Sequence, residues 1–410
     1  MPGETLIANA VVTSPDGGRR PAALRVTRGR IVELATGDAA TDASAEGVAD
    51  RVDAGGRLLT PGLIDLHVHG IERWAFEAGP AALQSGLDRL PSYGVTAALP
   101  TLYGTLAADQ SPQREALATA LADCDALYAP GFHLEGPFLK VVGAGALTMT
   151  ADLEYLDELV SSLDGRVSAV SVSPDADGPI TGVIARLASD GVSVFMTHTR
   201  AGVKAAEAAI EAGARHATHF YDVFDPPPAP EPGVRAVGAV EAILADPRVT
   251  VDFIADGVHV HPTAIRAALA AKGVSGVLAI TDANVGAGLE PGRHATPWGY
   301  EVEVAESDAA RVHRPGDALH ATLAGSALTM PQAVSNLRRW LDLPEHAVWS
   351  MATRNPAARM GWSRKGRLEV GADADLVLWD ETQAGELTAW STWSAGREVF
   401  SRGVAAGSSV

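Results

Sequence analysis

From residue 61 onward the chain repeats one pattern: a compact apolar run, then an Ala-rich stretch whose apolar residues recur every three or four positions. Eight such runs precede residue 285: GLIDLHVHG, GVTAALPTL, GFHLEGPFL, RVSAVSVSPD, GVSVFMTHT, RHATHFYD, VTVDFIADGVH and GVLAITDA. Short runs that stay apolar on both faces suit parallel strands buried in a sheet, with crossover helices between them. ITGVIARLASD, AGVKAAEAAIEAG and PTAIRAALAAKG are the clearest helices, each stopping near Gly or Asp. Eight strand and helix units favour a closed (β/α)8 TIM-like barrel over an open sheet, which makes the fold class α/β.

The two ends of the chain follow a different rule. TLIANAVVT, AALRVTRGRIVEL and RVDAGGRLLT are β-patterned runs separated by Gly and Asp turns. Past the barrel, MPQAVSNLRRWLDL and EHAVWSMATRNPAARM read as amphipathic helices, after which GRLEVGADADLVLWD and STWSAGREVFSRG return to β-patterning. The likeness of the ends predicts a small β-sandwich domain built from both termini, residues 1–60 and 364–410, around a barrel at 61–363. No fixed-period repeat is present, and DPPPAPEP predicts a stiff extended loop.

Composition narrows the partners. The 410 residues are 47% hydrophobic, enough for a sizeable core. Lys and Arg number 32 against 50 Asp and Glu, a formal charge of −18 that repels nucleic acid and anionic membrane surfaces. The single cysteine, Cys124, excludes an internal disulfide and suits a reducing compartment, where it reads as a small buried hydrophobe. MPGETLIANAVV lacks a basic leader region and a following apolar stretch, and no run approaches the ~18 apolar residues of a membrane span. The expectation is a cytoplasmic protein acting on a small molecule, with neither nucleic acid nor membrane as a partner.

Ionisable residues fall repeatedly at the C-terminal ends of the apolar runs. The first run ends in His67 and His69, the third carries His133 and Glu135, the fifth ends in His198, the sixth in His219 and the eighth in Asp282. In a (β/α)8 barrel those ends converge on one face. Imidazoles and carboxylates without thiolates suit Zn²⁺ or another divalent transition metal. His67 and His69 alternate on a strand, so both point the same way and can grip one ion. Singly, each has a plainer reading: a histidine is often a satisfied core residue, and Asp282 fits a helix cap. His133 is either a support for the site or packing. His216, three before His219, falls on the opposite strand face and reads as structural. Compatible ligands at five separate strand ends, in a chain with 12 histidines, carry the metal reading.

TPGLIDLHVHG, GFHLEGPFL, ATHFYD, FIADGVHV, ITDA and AGSALTM, in that order and followed by RLEVGADADLVLWD, resemble the amidohydrolase superfamily, and specifically its N-acetylglucosamine-6-phosphate deacetylases. LEGP is the sharpest piece, because many other amidohydrolases place a carboxylated lysine on the fourth strand and RVSAVSVSPD has none. The resemblance implies that Glu135, His198 and His219 hold one metal, that His67 and His69 bind a second, and that Asp282 is the catalytic and metal-associated aspartate. It further implies Zn²⁺, with Fe²⁺ or Mn²⁺ as alternatives, a homodimer, and contact of His259, Asp222 and Val223 with substrate. The implied reaction is hydrolysis of a linear amide, deacetylating an N-acetyl amino sugar.

Two segments depart from that family. After LEGP the family carries a histidine that polarises the substrate carbonyl, whereas this chain reads KVVGAGALTM; a second metal on His67 and His69 is the expected replacement. Before EPG the family carries a phosphate-clamping arginine, whereas this chain reads DVFDPPPAP, with Lys140, Arg235 and Arg293 as the cations open to compensate. Acid and proline at that place weigh against a phosphorylated substrate. The competing expectations are an amidohydrolase for another small N-acyl compound or cyclic amide, and a catalytically silent binding relative.

Overall fold

The computed structural model of the chain describes residues 4–41, 48, 50–143, 146–305 and 309–403. Its centre is an eight-stranded parallel sheet whose strands neighbour one another in chain order. They are β1 (Leu63–Val68), β2 (Val95–Leu102), β3 (Phe132–Glu135), β4 (Val167–Val172), β5 (Ser193–Met196), β6 (His216–Ala217), β7 (Thr250–Ile254) and β8 (Val277–Ile280). Residues of β2 are buried throughout, which is why its run shows no polar alternation.

The sheet closes where β1 meets the chain just after β8. Val68 pairs with Ala283, Asp282 N–H donates to His67 O at 2.9 Å, and His69 N–H donates to Ala283 O at 2.8 Å. Inside the seam, Thr281 Oγ1 donates to the buried Asp65 Oδ2 at 2.6 Å. Burial pushes the Asp65 carboxyl up to about 7, against the hydrogen bonds from Thr281 and from His67 N–H that hold it down. Closure therefore brings the C-terminal ends of β1 and β8, and with them His67, His69 and Asp282, side by side.

Both termini build a second, eight-stranded sheet from Thr5–Thr13, Arg19–Thr27, Arg30–Thr36, Asp50–Asp53, Leu58–Pro61, Leu376–Glu381, Leu387–Ser394 and Arg397–Ser401. Strand alternation serves two cores: Val377 and Trp379 pack into the barrel's hydrophobic cluster, Leu376 and Leu378 into a separate cluster within the terminal sheet. Trp379 is 1% exposed and its indole N–H donates to Thr60 Oγ1 at 2.8 Å. It fills the space beside Gly94, where a Cβ would lie 2.3 Å from the ring.

The expected elements differ from the structure in three places. GRLEVGADADLVLWD holds a strand only over Leu376–Glu381, because Gly366 (φ 69°) and Gly371 (φ 90°) turn its first half. EHAVWSMATRNPAARM is two helices, Glu345–Met351 and Arg354–Arg359. Pro356 would clash with the carbonyl four residues back in a continuous helix, and the chain breaks at Thr353, whose hydroxyl donates to Trp349 O at 2.8 Å. Finally, Gly292–Ala295, Glu301–Val304, Ala309–His313 and Leu323–Ser326 form a four-stranded sheet, antiparallel throughout, that the sequence reading did not anticipate. Its small core of Val302, Val312 and Ala324 packs on Ala75 and Val285, placing the insertion over the C-terminal end of β8.

Candidate metal centre and substrate cavity

The structure brings all six expected ligands together. Glu135 Oε1 lies 3.0 Å from His219 Nε2 and 3.2 Å from His198 Nε2. Its other oxygen lies 3.3 Å from His69 Nε2 and 3.7 Å from His67 Nε2. Asp282 Oδ1 stands 3.2 Å from His69 Nε2 and 3.6 Å from His67 Nε2. The two tightest groups, with ligand atoms all within 4.8 Å of one another, are His67, Glu135 and His219, and His67, His69 and Asp282. His198 joins through Glu135 rather than as a member of either tight group.

A further layer aims the imidazoles. His198 Nδ1 donates to Val141 O at 2.9 Å and His69 Nδ1 to Thr101 O at 3.2 Å, so each turns Nε2 toward the carboxylates. His67 Nδ1 pairs with Thr218 Oγ1 at 3.0 Å. His198 (φ 47°), His219 (φ 36°) and Asp282 (φ 50°) all adopt the left-handed backbone region, disfavoured for side-chain-bearing residues and concentrated at functional sites. In each case the strand ends two residues before the ligand, and the turn swings the side chain inward.

Left-handed backbone also explains His216 and His219 better than strand alternation does, since β6 stops at Ala217. His216 points away from the site: Nε2 lies 2.7 Å from Asp252 Oδ2 and Nδ1 2.7 Å from Thr250 Oγ1. Burial pulls its pKa down, and it stands as a structural residue. The other oxygen of Asp252 accepts His219 N–H at 2.5 Å, so one buried carboxylate fixes both histidines. His133 is likewise a support, with Nδ1 donating to Leu66 O at 3.0 Å, Nε2 2.7 Å from Ser171 Oγ, and its ring edge-on to His67.

The electrostatics are those of a site built for positive charge. Burial pulls His69 down, yet hydrogen bonds to Asp282 and Glu135 outweigh it and raise the ring to about 10. His219 rises to about 9, burial again being overcome by Glu135. Burial pushes Glu135 and Asp282 up, and the neighbouring imidazoles more than reverse it, leaving both carboxylates below their usual range. Two protons thus sit where a cation would satisfy the same carboxylates. An all-nitrogen and oxygen donor set with fixed imidazoles fits a divalent metal ion.

Above the centre lies a cavity lined by His69, Glu135, His198, His219 and Asp282 and by Asp222, Val223 and His259, while His67 lies buried beneath it. His259 Nδ1 pairs with Asp256 Oδ2 at 2.6 Å, which leaves Nε2 for the cavity. Hydrogen bonding to Asp256 raises its pKa against the lowering effect of burial. Sequence reasoning missed Tyr103, Asn284 and Tyr300 in the same wall. Tyr300 and the stacked Trp298 (5.9 Å, 22°) come from the inserted sheet, and Tyr103 packs edge-on to His69. In the segment after LEGP this chain sets backbone against His198: Val141 O, and Gly143 in the cavity wall. Lys140, Arg235 and Arg293 lie outside the wall, facing Asp177 at 2.9 Å, Glu241 at 2.7 Å and Glu303 at 4.0 Å.

Comparison with known proteins agrees with this geometry. Residues 58–404 match the amidohydrolase family. An N-acetylglucosamine-6-phosphate deacetylase of Vibrio furnissii is 32% identical over 364 residues, covering 86% of this chain and 85% of the relative. That of Bacillus subtilis (strain 168) is 31% identical over 333 residues, covering 78% and 80%. A solved N-acetyl-D-glucosamine-6-phosphate deacetylase of Mycobacterium smegmatis, in complex with N-acetyl-D-glucosamine-6-phosphate, superposes with a TM-score of 0.80 at 28% identity, covering 97% of this chain and all of that one. The chain belongs to the amidohydrolase family of metal-dependent hydrolases of carbon–nitrogen bonds and, within it, resembles the N-acetylglucosamine-6-phosphate deacetylases.

Proposed function

We propose that this protein hydrolyses the amide of an N-acetyl amino sugar, releasing acetate and a free amine. One observation carries the reading: four imidazoles and two carboxylates from five strand ends converge beneath a cavity whose wall also carries Tyr103, Asp222, His259, Asn284 and Tyr300. Glu135, His198 and His219 would hold one ion, and His67, His69 and Asp282 a second. Zn²⁺ is the ion the His and carboxylate set suits, with Fe²⁺ and Mn²⁺ as chemically similar alternatives. When bound, such an ion polarises a carbonyl and makes water acidic enough to lose a proton near neutral pH.

The chain's own residues divide the remaining work. Asp282, kept anionic beside His69, accepts the proton of the attacking water. It then returns that proton to the departing nitrogen as the carbon–nitrogen bond breaks, since an amine leaves only when protonated. Its backbone is pinned on both sides, by Asp282 N–H to His67 O and by Ser326 N–H to Asp282 O, so the carboxylate stays aimed at the cavity. His259, held by Asp256, offers its free nitrogen to the substrate, while Asp222 and Val223 form the outer wall. The barrel at 61–363 is the catalytic unit and the terminal β domain its support; a homodimer in the cytoplasm completes the reading, supported by the family resemblance and the lone cysteine.

The test is a panel of N-acetyl amino sugars incubated with Zn²⁺-loaded protein. Acetate and amine should appear in equal amounts. Opening of cyclic amides, or cleavage of other N-acyl compounds, without acetate from any amino sugar would overturn the reading. Metal uptake with no hydrolysis of anything would instead support a silent relative.

A further inference from the structure

Resting on that reading, we infer that the sugar is not phosphorylated: the outer cavity takes a neutral N-acetyl amino sugar whose hydroxyl groups meet Asp222. The relatives named above are deacetylases of a 6-phosphate ester, and a phosphate dianion calls for Arg or Lys donating charge-assisted hydrogen bonds. None of the described residues lining this cavity is a lysine or arginine. The residues outside the described set contain none either, so no lysine or arginine of the same protomer lines it.

Three cations near the wall in sequence are already engaged. Arg200, two residues past His198, pairs through Nε with Asp225 Oδ2 at 2.9 Å. That aspartate opens the proline-rich DPPPAPEP stretch, so the loop ties up the arginine rather than presenting it. Lys140 holds both oxygens of Asp177, at 2.9 and 3.0 Å. Arg235 is bound to Glu241.

In place of a cation the wall carries an anion. Asp222 donates its backbone N–H to His219 O at 2.9 Å, but its carboxylate has no hydrogen-bond or ion-pair partner among the described residues. A half-buried carboxylate facing a cavity accepts donors from whatever fills it, and a hydroxyl supplies one where a phosphate would add repulsion. Tyr103 and Tyr300, joined through Trp298 in one aromatic wall of the cavity, give flat faces against which a sugar ring can lie.

The experiment compares kcat/KM for N-acetylglucosamine and for its 6-phosphate, by acetate release from the Zn²⁺-loaded full-length protein at low and high salt. The unphosphorylated sugar should be preferred at least tenfold, and added salt should narrow the gap by screening. Asp222→Asn should raise KM for the neutral sugar with little change in kcat, and raise kcat/KM for the phosphate ester. An equal or better rate with the phosphate ester overturns this inference alone. Acetate from neither sugar overturns the deacetylase reading together with it.

Discussion

Gly143→Ala tests how tightly the metal centre depends on the segment after LEGP. A Cβ on Gly143 would lie 2.3 Å from His198 Cε1, 3.2 Å from Nδ1 and 3.3 Å from Nε2. Ordinary carbon contacts sit at about 3.5–4.0 Å, so one partner must give way by more than about 1 Å. The ring is clamped between Val141 O at 2.9 Å and Glu135 Oε1 at 3.2 Å, and a move of that size breaks one of the two bonds. Misplacing a catalytic group by about 1 Å costs on the order of 100-fold in rate, or about 2.7 kcal/mol of barrier. Stability should barely change, because Gly143 is half-buried and outside the left-handed backbone region that favours glycine. The assay is kcat/KM for acetate release, with bound metal by atomic emission and a thermal melt on the same sample. Gly202→Ala is the control, since nothing lies within 4 Å of its added carbon. Wild-type kcat/KM and full metal content in Gly143→Ala would refute the reasoning, by showing that the loop yields and His198 does not depend on it.

Three further outcomes are expected. Asp282→Asn should lose about 10²–10⁴ in kcat, the range of general acid–base catalysis, while still taking up metal through Glu135, His198 and His219; activity within fivefold of wild type would exclude Asp282 as the proton carrier. Asp252→Ala should destabilise the fold by about 2–6 kcal/mol in urea unfolding, as the buried donors of His216 and His219 each lose a partner worth about 1–3 kcal/mol; a shift below 1 kcal/mol would contradict it. Metal affinity should rise with pH. Burial pulls His69 and His219 down, but Asp282 and Glu135 raise them to about 10 and about 9, so each carries an extra proton below those values that metal must displace. Two released protons give up to about 100-fold tighter binding per pH unit between 7 and 9, measurable by competition with a chromophoric chelator; an affinity flat across that window would show neutral imidazoles in the metal-free protein.

The parts of the molecule legible in the sequence are those encoded locally. Eight buried strands announce themselves by short apolar runs, and His67, His69, Glu135, His198, His219 and Asp282 stand at the ends of such runs. What aims them is not local. Thr218 supports His67 from 151 residues away, Thr101 O holds His69 from 32, and Asp252 serves His216 from 36. Sheet closure alone brings these partners into contact, and no spacing in the chain signals it. The left-handed turns at His198, His219 and Asp282 were equally hidden, because their residue types do not demand positive φ. Strands of four or five residues around Tyr300 gave too little alternation to stand out from loop, so the wall they build over the cavity was missed.

The most direct measurement is acetate release from N-acetylglucosamine by one protein sample in three states: metal-stripped, reloaded with Zn²⁺, and reloaded as Asp282→Asn. The site described here requires negligible turnover in the first, full turnover in the second, and bound metal with turnover lowered at least 100-fold in the third. Undiminished acetate release from the stripped protein, or from Asp282→Asn, would contradict a metal-dependent deacetylase built on these residues.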